Sequence, residues 1–191
     1  MCGRYTLFDE NDDNEIQAII DQIRKNYPGK PIRSGDIFPA DTVPVVVANG
    51  DRLMAQPVVW GFPKYGSSGV IINARAETVG EKKMFADSLR YRRCVVPSTG
   101  FYEWDREKRQ YLFRLSGKTA LYMAGLYRDF DDERRLVILT TAANGSMRDV
   151  HERMPVILQR DMVRMWATDA DAAVKYIAGG MPELEREEIV V

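Results

Sequence analysis

An α+β fold with mainly antiparallel sheet, curled into a partial barrel, is what this sequence predicts. Three observations predict it. Short apolar, strand-like runs recur along most of the chain, bounded by Gly, Pro, Asn and Asp. Helical periodicity occurs in only a few places and at irregular intervals. No regular strand–helix–strand alternation joins them, which argues against a doubly wound parallel sheet.

Residues 3–8 (GRYTLF) read as a short strand. Asp12 and Asp13 can cap a helix in which Ile16, Ile19, Ile20, Ile23 and Tyr27 share one face. Pro28 and Gly29 end it, and a loop rich in Pro, Gly and Ser runs to about Asp41. Strands follow at 43–48 (VPVVVA), 53–62 (LMAQPVVWGF) and 70–74 (VIINA). A helix is predicted near 81–90, where Phe85 and Leu89 are four apart. CVVP, GFYEW, QYLFRL, ALYMAGLY and RLVILTT read as further strands. Residues 142–151 form a loop or short helix, MPVIL a last core strand, 160–178 a helix, and EIVV a candidate terminal strand. With no internal repeat, low-complexity tract or linker, residues 1–191 are read as one domain.

Composition narrows the function classes. The net charge of -1 argues against a non-specific coater of DNA. Its distribution is uneven. Residues 64–93 carry Lys64, Arg75, Lys82, Lys83, Arg90, Arg92 and Arg93 against Glu77, Glu81 and Asp87, while acid gathers at 9–15 and 183–188. Such separation can build one basic groove, or simply solvated faces. No apolar run is long enough to span a bilayer, and the N-terminus lacks the pattern of a signal peptide, so a cytoplasmic location is expected. Two cysteines outside any CxxC pair make neither a disulfide scaffold nor a structural zinc site. Cys94, in RRCVVP, reads as a buried small hydrophobe.

Cys2 is different. Aminopeptidases remove an initiator methionine before a small residue, leaving a cysteine that carries α-amine and thiol on neighbouring carbons. The amine's reference pKa of about 7.7–8.0 leaves a useful neutral fraction near neutrality. It attacks an aldehyde to give a Schiff base, and the thiol then closes a five-membered thiazolidine. Well-oriented intramolecular steps of this kind reach effective molarities on the order of 10⁵ M.

The neighbourhood of other motifs sharpens this. MCGRY at the start, WGFP at 60–63, INARAET at 72–78, RRC before VVP, PSTGFYEW at 97–104, TTAAN at 140–144 and HERMPVIL at 151–158 resemble the SRAP family, the SOS-response-associated peptidases. The matches are in family order and cover most of the chain. The resemblance implies an abasic-site sensor acting on single-stranded DNA in the DNA damage response. It implies a thiazolidine DNA–protein crosslink, lyase-like Schiff-base chemistry and autocatalytic removal of Met1. By position, Cys2 matches the crosslinking residue, Asn73 the orienting asparagine, Glu103 the catalytic glutamate and His151 the catalytic histidine. Arg4 and Arg75 match phosphate-holding arginines, and Trp104 follows the glutamate as in the family, a candidate for stacking on a base. No metal or organic cofactor is implied, and a monomer that becomes nucleoid-associated on DNA is expected.

Each role has its own physical reading. His151, the only histidine, suits proton delivery to and from the sugar as the abasic site opens to its aldehyde. In a strand, Phe101 and Glu103 share one face and Tyr102 and Trp104 the other, so Glu103 is a partly desolvated carboxylate suited to proton transfer. Asn73 follows an apolar run and must find hydrogen bonds, which suits it to hold an amine or sugar hydroxyl. Arg75 suits a phosphate, or an ion pair with Glu77 two residues on. Trp104, Tyr65 and Trp60 suit base stacking, with core packing preferred for Trp60.

The chain departs from the family pattern at three places. SGDIFPAD, with Asp36 and Pro39, stands where many relatives have an asparagine–proline pattern. Asp105 follows GFYEW where lysine is frequent, and only KYGSSGVI separates WGFP from INAR, so the aromatic wedge that some relatives insert beside a lesion is either Tyr65 or absent. Two alternatives stand beside abasic-site capture: a cysteine hydrolase with an N-terminal nucleophile, and a single-stranded DNA-binding module without chemistry.

Overall fold

The computed structural model describes residues 2–8, 14–117 and 120–190. Met1, and Asp12 and Asp13 as expected helix caps, lie outside them. In chain order the elements are β1 (Tyr5–Leu7), α1 (Asn14–Asn26), β2 (Gly35–Ile37), β3 (Thr42–Asn49), β4 (Arg52–Trp60), β5 (Phe62–Pro63), β6 (Val70–Ile71) and β7 (Asn73–Arg75). Then follow α2 (Ala86–Tyr91), β8 (Arg93–Ser98), β9 (Gly100–Trp104), β10 (Gln110–Leu115), β11 (Leu121–Phe130), β12 (Glu133–Ala142), β13 (Arg153–Pro155), β14 (Ile157–Leu158), α3 (Met162–Thr168), α4 (Ala170–Ile177) and β15 (Leu184–Ile189).

The Val- and Ile-rich runs make the larger sheet. β3 and β4 form a hairpin closed by Gly50 and Asp51, with Gly50 at φ 58, a conformation such tight turns require. β12 pairs β4, β4 pairs β3, β3 pairs β8, β8 pairs β11, and β11 returns to β12. The sheet is therefore ring-like through five strands, which matches the expected α+β fold with curled, largely antiparallel sheet. β12–β4 and β12–β7 are its parallel pairings among the described strands.

A second sheet runs β15-β10-β9-β1-β2. Its inner face carries Tyr5, Leu7, Ile37, Phe101 and Phe113, all fully buried against the ring. The Phe101 and Phe113 rings stack with centroids 5.4 Å apart. This sheet positions the chain's start: β1 lies between β9 and β2, so residues just before Tyr5 run along β9.

Several expected elements differ in detail. The 28–41 loop contains β2, which exists only because β1 pairs with it. The helix near 81–90 shortens to α2, since residues 78–85 make successive tight turns, such as Glu81 N–H to the Thr78 carbonyl at 3.1 Å. The 160–178 helix breaks at Asp169, whose extended backbone ends α3 and whose carboxylate caps α4 by accepting from Ala172 N–H at 2.9 Å. MPVIL divides into β13 and β14, because Val156 N–H bonds Leu139 while Ala124 N–H bonds the Val156 carbonyl. Among the described residues, no helix is long and apolar enough to cross a membrane.

Candidate active site

Cys2 is fully buried, in one apolar cluster with Tyr5, Phe101, Met147, Val150 and Met154. The Arg4 carbonyl accepts from Tyr102 N–H at 2.9 Å, extending the β1–β9 pairing toward the N-terminus. That extension brings Cys2 beside Glu103. Burial, and then the Glu103 charge, push the Cys2 thiol above its ordinary range. The thiol donates to the Arg4 carbonyl at 4.0 Å and lies within electrostatic reach of Glu103.

Glu103 is 3% exposed, on the inner side of β9. The alternation expected for GFYEW holds: Phe101 and Glu103 point inward, while Trp104 is exposed on the outer side. Gly100, at the start of β9, lets that strand lie against β10; a Cβ there would come 2.9 Å from the Phe113 carbonyl.

Asn73 opens β7, which runs parallel to β12 with Asn73 opposite Ile138. Its Nδ2 reaches the Ile138 carbonyl only at 3.5 Å, and its buried Oδ1 has no hydrogen-bond partner. An unused buried acceptor fits a group that must receive an amine or hydroxyl. The preceding residue is held from two sides. Trp60 Nε1–H and Ile138 N–H both donate to the Ile72 carbonyl, each at 3.0 Å. Trp60 is fully buried and packs on Tyr5 with ring centroids 5.3 Å apart, so it is a core residue linking β7 to β1, as preferred.

His151 is half-buried between buried Val150 and β13. Its Nδ1 accepts from Arg153 N–H at 2.9 Å. The Arg153 carbonyl lies 3.2 Å from the same nitrogen, which cannot donate there while accepting. The amide hydrogen is fixed, so the neutral ring carries its proton on Nε2. Arg153 clamps this corner: its guanidinium donates to both Glu77 oxygens, at 2.6 and 2.8 Å, and to the Thr140 carbonyl at 2.7 Å. The clamp holds the Glu77 carboxyl below the usual glutamate range, mainly through the Arg153 hydrogen bonds. A depressed carboxylate stabilises the fold above its unfolded value, and that contribution is lost as pH falls through the folded value. Thermal melting of the wild type and Glu77→Gln should therefore differ most above pH 4.5 and converge below it. A gap that does not narrow at all as the pH is lowered through the acid range would refute the clamp's charge contribution.

Cys2 and Glu103 are thus direct electrostatic neighbours. Ile72, next to Asn73, is tied through Trp60 to Tyr5, and Val150, next to His151, shares the Cys2 cluster with Met147 and Met154. β7 and β13 meet at Thr140 of β12, opposite Arg75 and Pro155. Among the described residues no cluster of His, Cys, Asp and Glu could hold a metal.

The nucleic-acid candidates are more scattered. Arg4 is engaged: its guanidinium pairs with Asp36 and lies between the rings of Tyr102 and Phe38, 4.6 and 5.1 Å from their centroids. Trp104 is 37% exposed and tilts against Tyr102 with centroids 6.4 Å apart. Arg75 is exposed, and the ion pair open to it with Glu77 does not form, because Arg153 holds Glu77. Tyr65 is 99% exposed on the turn between β5 and β6. The basic segment 64–93 is not wholly a surface. Arg93 is an internal strut, donating to the carbonyls of Leu89, Arg90, Trp166 and Ala167. Cys94 is buried, as expected.

Sequence reasoning missed four groups around the site: Tyr5, whose buried hydroxyl has no hydrogen-bond partner, and Asp36, Phe38 and Arg153. Each lies in a segment quoted above, Tyr5 in MCGRY, Asp36 and Phe38 in SGDIFPAD and Arg153 in HERMP, but nothing local gave them a place at the site.

The chain is similar to known proteins. The chain is 32% identical over 191 residues to the abasic site processing protein YoaM of Bacillus subtilis (strain 168), covering 93% of this chain and 83% of that one. It is 27% identical over 177 residues to the abasic site processing protein YedK of Escherichia coli (strain K12), covering 87% and 79%. A crystal structure of a Bacteroides thetaiotaomicron protein shares the fold, with a TM-score of 0.78 at 21% identity over 99% of this chain and 92% of that one. A family model described as SOS response associated peptidase (SRAP) matches residues 1–189, and with the curated relatives it shows that this chain belongs to the SRAP family.

Proposed function

We propose that the protein binds single-stranded DNA and captures abasic sites covalently through Cys2, once Met1 has been removed. The observation that carries this reading is the fully buried Cys2 within electrostatic reach of the likewise buried Glu103 carboxylate. Names of relatives at 27–32% identity point the same way.

The chemistry balances on this chain's own groups and solvent water. As the closed sugar opens, the ring C–O bond breaks, the protonated form of His151 gives its Nε2 proton to the ring oxygen, and the anomeric hydroxyl loses its proton to solvent water, which reprotonates the imidazole; the abasic site is then the open aldehyde. The α-amine of Cys2 adds to the aldehyde carbon to give a carbinolamine. Glu103 delivers the proton with which the hydroxyl leaves as water, forming the imine. The Cys2 sulfur then bonds the imine carbon while its proton passes, through Glu103, to nitrogen. The product is a thiazolidine, and the same steps reversed release the strand. The Asn73 Oδ1 accepts from the amine or a sugar hydroxyl and holds it in line. Arg4, Arg75, Trp104 and Tyr65 serve the strand: cations for phosphates, rings for bases.

A cysteine hydrolase needs only the thiol, whereas aldehyde capture uses both the α-amine and the thiol that a cysteine at the start of the chain supplies. A denaturing gel separates the readings. Protein proven by intact mass to begin at Cys2 is mixed with an oligonucleotide carrying one abasic site. A retarded band is expected that survives denaturant, requires the lesion, and is lost as a stable species in Cys2→Ala and Cys2→Ser. Absence of the band refutes covalent capture; amide hydrolysis retained by Cys2→Ser supports the hydrolase instead, and equal binding to undamaged strands a plain binding module.

A further inference from the structure

Arg4 is a strand-binding candidate whose charge is already spoken for. Its guanidinium is fixed between Phe38 and Tyr102 and pairs with Asp36, and the two charged side chains are only 26% and 30% exposed. We propose that Asp36 is an electrostatic gate on Arg4, holding the guanidinium that a DNA phosphate would otherwise take and so setting the protein's affinity for single strands. The proposal rests on the single-stranded DNA reading above.

Three features support it. First, the pair is incompletely matched. A fork-to-fork arginine–carboxylate pair makes two parallel hydrogen bonds. Here Arg4 Nη2 meets Asp36 Oδ2, while Arg4 Nε and Asp36 Oδ1 are both buried with no hydrogen-bond partner; the Tyr102 hydroxyl also hydrogen-bonds the Asp36 carboxylate. Such a pair surrenders fewer bonds on exchange than a complete one. Second, Phe38, Arg4, Tyr102 and Trp104 follow one another in a row, each within ring-contact distance of the next. Aromatic rings interleaved with a cation make a platform on which unpaired bases stack and a phosphate lodges. Third, β1 places Asp36 directly opposite Thr6, two residues from Arg4 on the same side of the sheet, so the backbone itself fixes the carboxylate at that row.

A phosphate reaching Arg4 must share it with, or displace, a carboxylate that cannot move away with β2 paired. Asp36→Asn keeps the side chain's size and an acceptor for Arg4 but removes the negative charge. Binding of undamaged single-stranded oligonucleotide to the full chain, titrated across salt concentrations, reads the effect without involving covalent capture. Asp36→Asn is expected to bind about tenfold tighter at low salt. Its log–log salt dependence should steepen by about 0.7, the value for one additional phosphate on a single strand. Both gains should vanish in Arg4→Ala/Asp36→Asn. Arg4→Ala alone should change the wild-type slope by much less than it changes that of Asp36→Asn. Asp36→Ser, which also removes the charge, gives the same readout if the amide disturbs packing, with thermal melting as the check.

An unchanged slope in a normally folded variant overturns the gate. So does a gain that persists without Arg4, because the charge would then act on the strand in general. A wild type that neither binds single strands nor crosslinks abasic sites fails at an earlier arm, and overturns the DNA reading itself together with the gate.

Discussion

Replacing Glu103 by glutamine is expected to slow covalent capture at saturating DNA by at least about 100-fold, the lower end of what positioned acid–base catalysis contributes. The amide matches the carboxylate in size but can neither accept the Cys2 thiol proton nor return one to a leaving hydroxyl. Glu103 is 3% exposed, so bulk water has poor access as a substitute. It lies on the inner side of β9, while Trp104 and the Arg4 row lie on the outer side. Strand affinity should therefore stay within about twofold of wild type while the single-turnover rate falls. Quantifying the crosslinked band over time, alongside equilibrium binding, separates the two. A rate within threefold of wild type would remove Glu103 from the proposed proton path.

The largest expected effect on stability is at Trp60. Trp60→Ala should destabilise the fold by about 3–5 kcal/mol, the range for deleting a large buried aromatic. The indole is fully buried and packed on Tyr5, and its Nε1–H satisfies the Ile72 carbonyl. Its removal opens a cavity between β1 and β7 and leaves that carbonyl with Ile138 N–H alone. For a chain of this size the melting temperature should fall on the order of 10 °C. Trp60→Phe, which keeps part of the ring volume but not the donor, should fall in between. Urea denaturation measures both. A loss below about 1 kcal/mol for Trp60→Ala would mean that this link between the strands carrying the site is not structural.

Much of the scaffold was legible locally. Period-two alternation in GFYEW is enough to turn Glu103 inward with Phe101 and Trp104 outward. The isoleucines at 3.6-residue spacing announce α1, whose Ile16, Ile20 and Ile23 are buried. The break between α3 and α4 was legible in principle too, since Asp169 is a capping residue beside a run rich in alanine. β2 was not. Its three residues have no strand periodicity of their own, and they are extended because β1 offers them an edge.

What the sequence by itself determined was the family, the strand-rich α+β class, the inward face of β9 and the residue types able to do aldehyde chemistry. All of these depend on residue identity, order and short-range spacing. What only the tertiary structure decided was partnership. Arg4 pairs with Asp36 across 32 positions, Arg153 takes Glu77 from Arg75 across 76, and Arg93 turns inward to a carbonyl 74 residues away. Each cation had several acceptors within chemical reason. Choosing among them required the closed ring of strands and the second sheet packed on it, because Coulomb attraction and hydrogen bonding act through space and carry no memory of sequence separation.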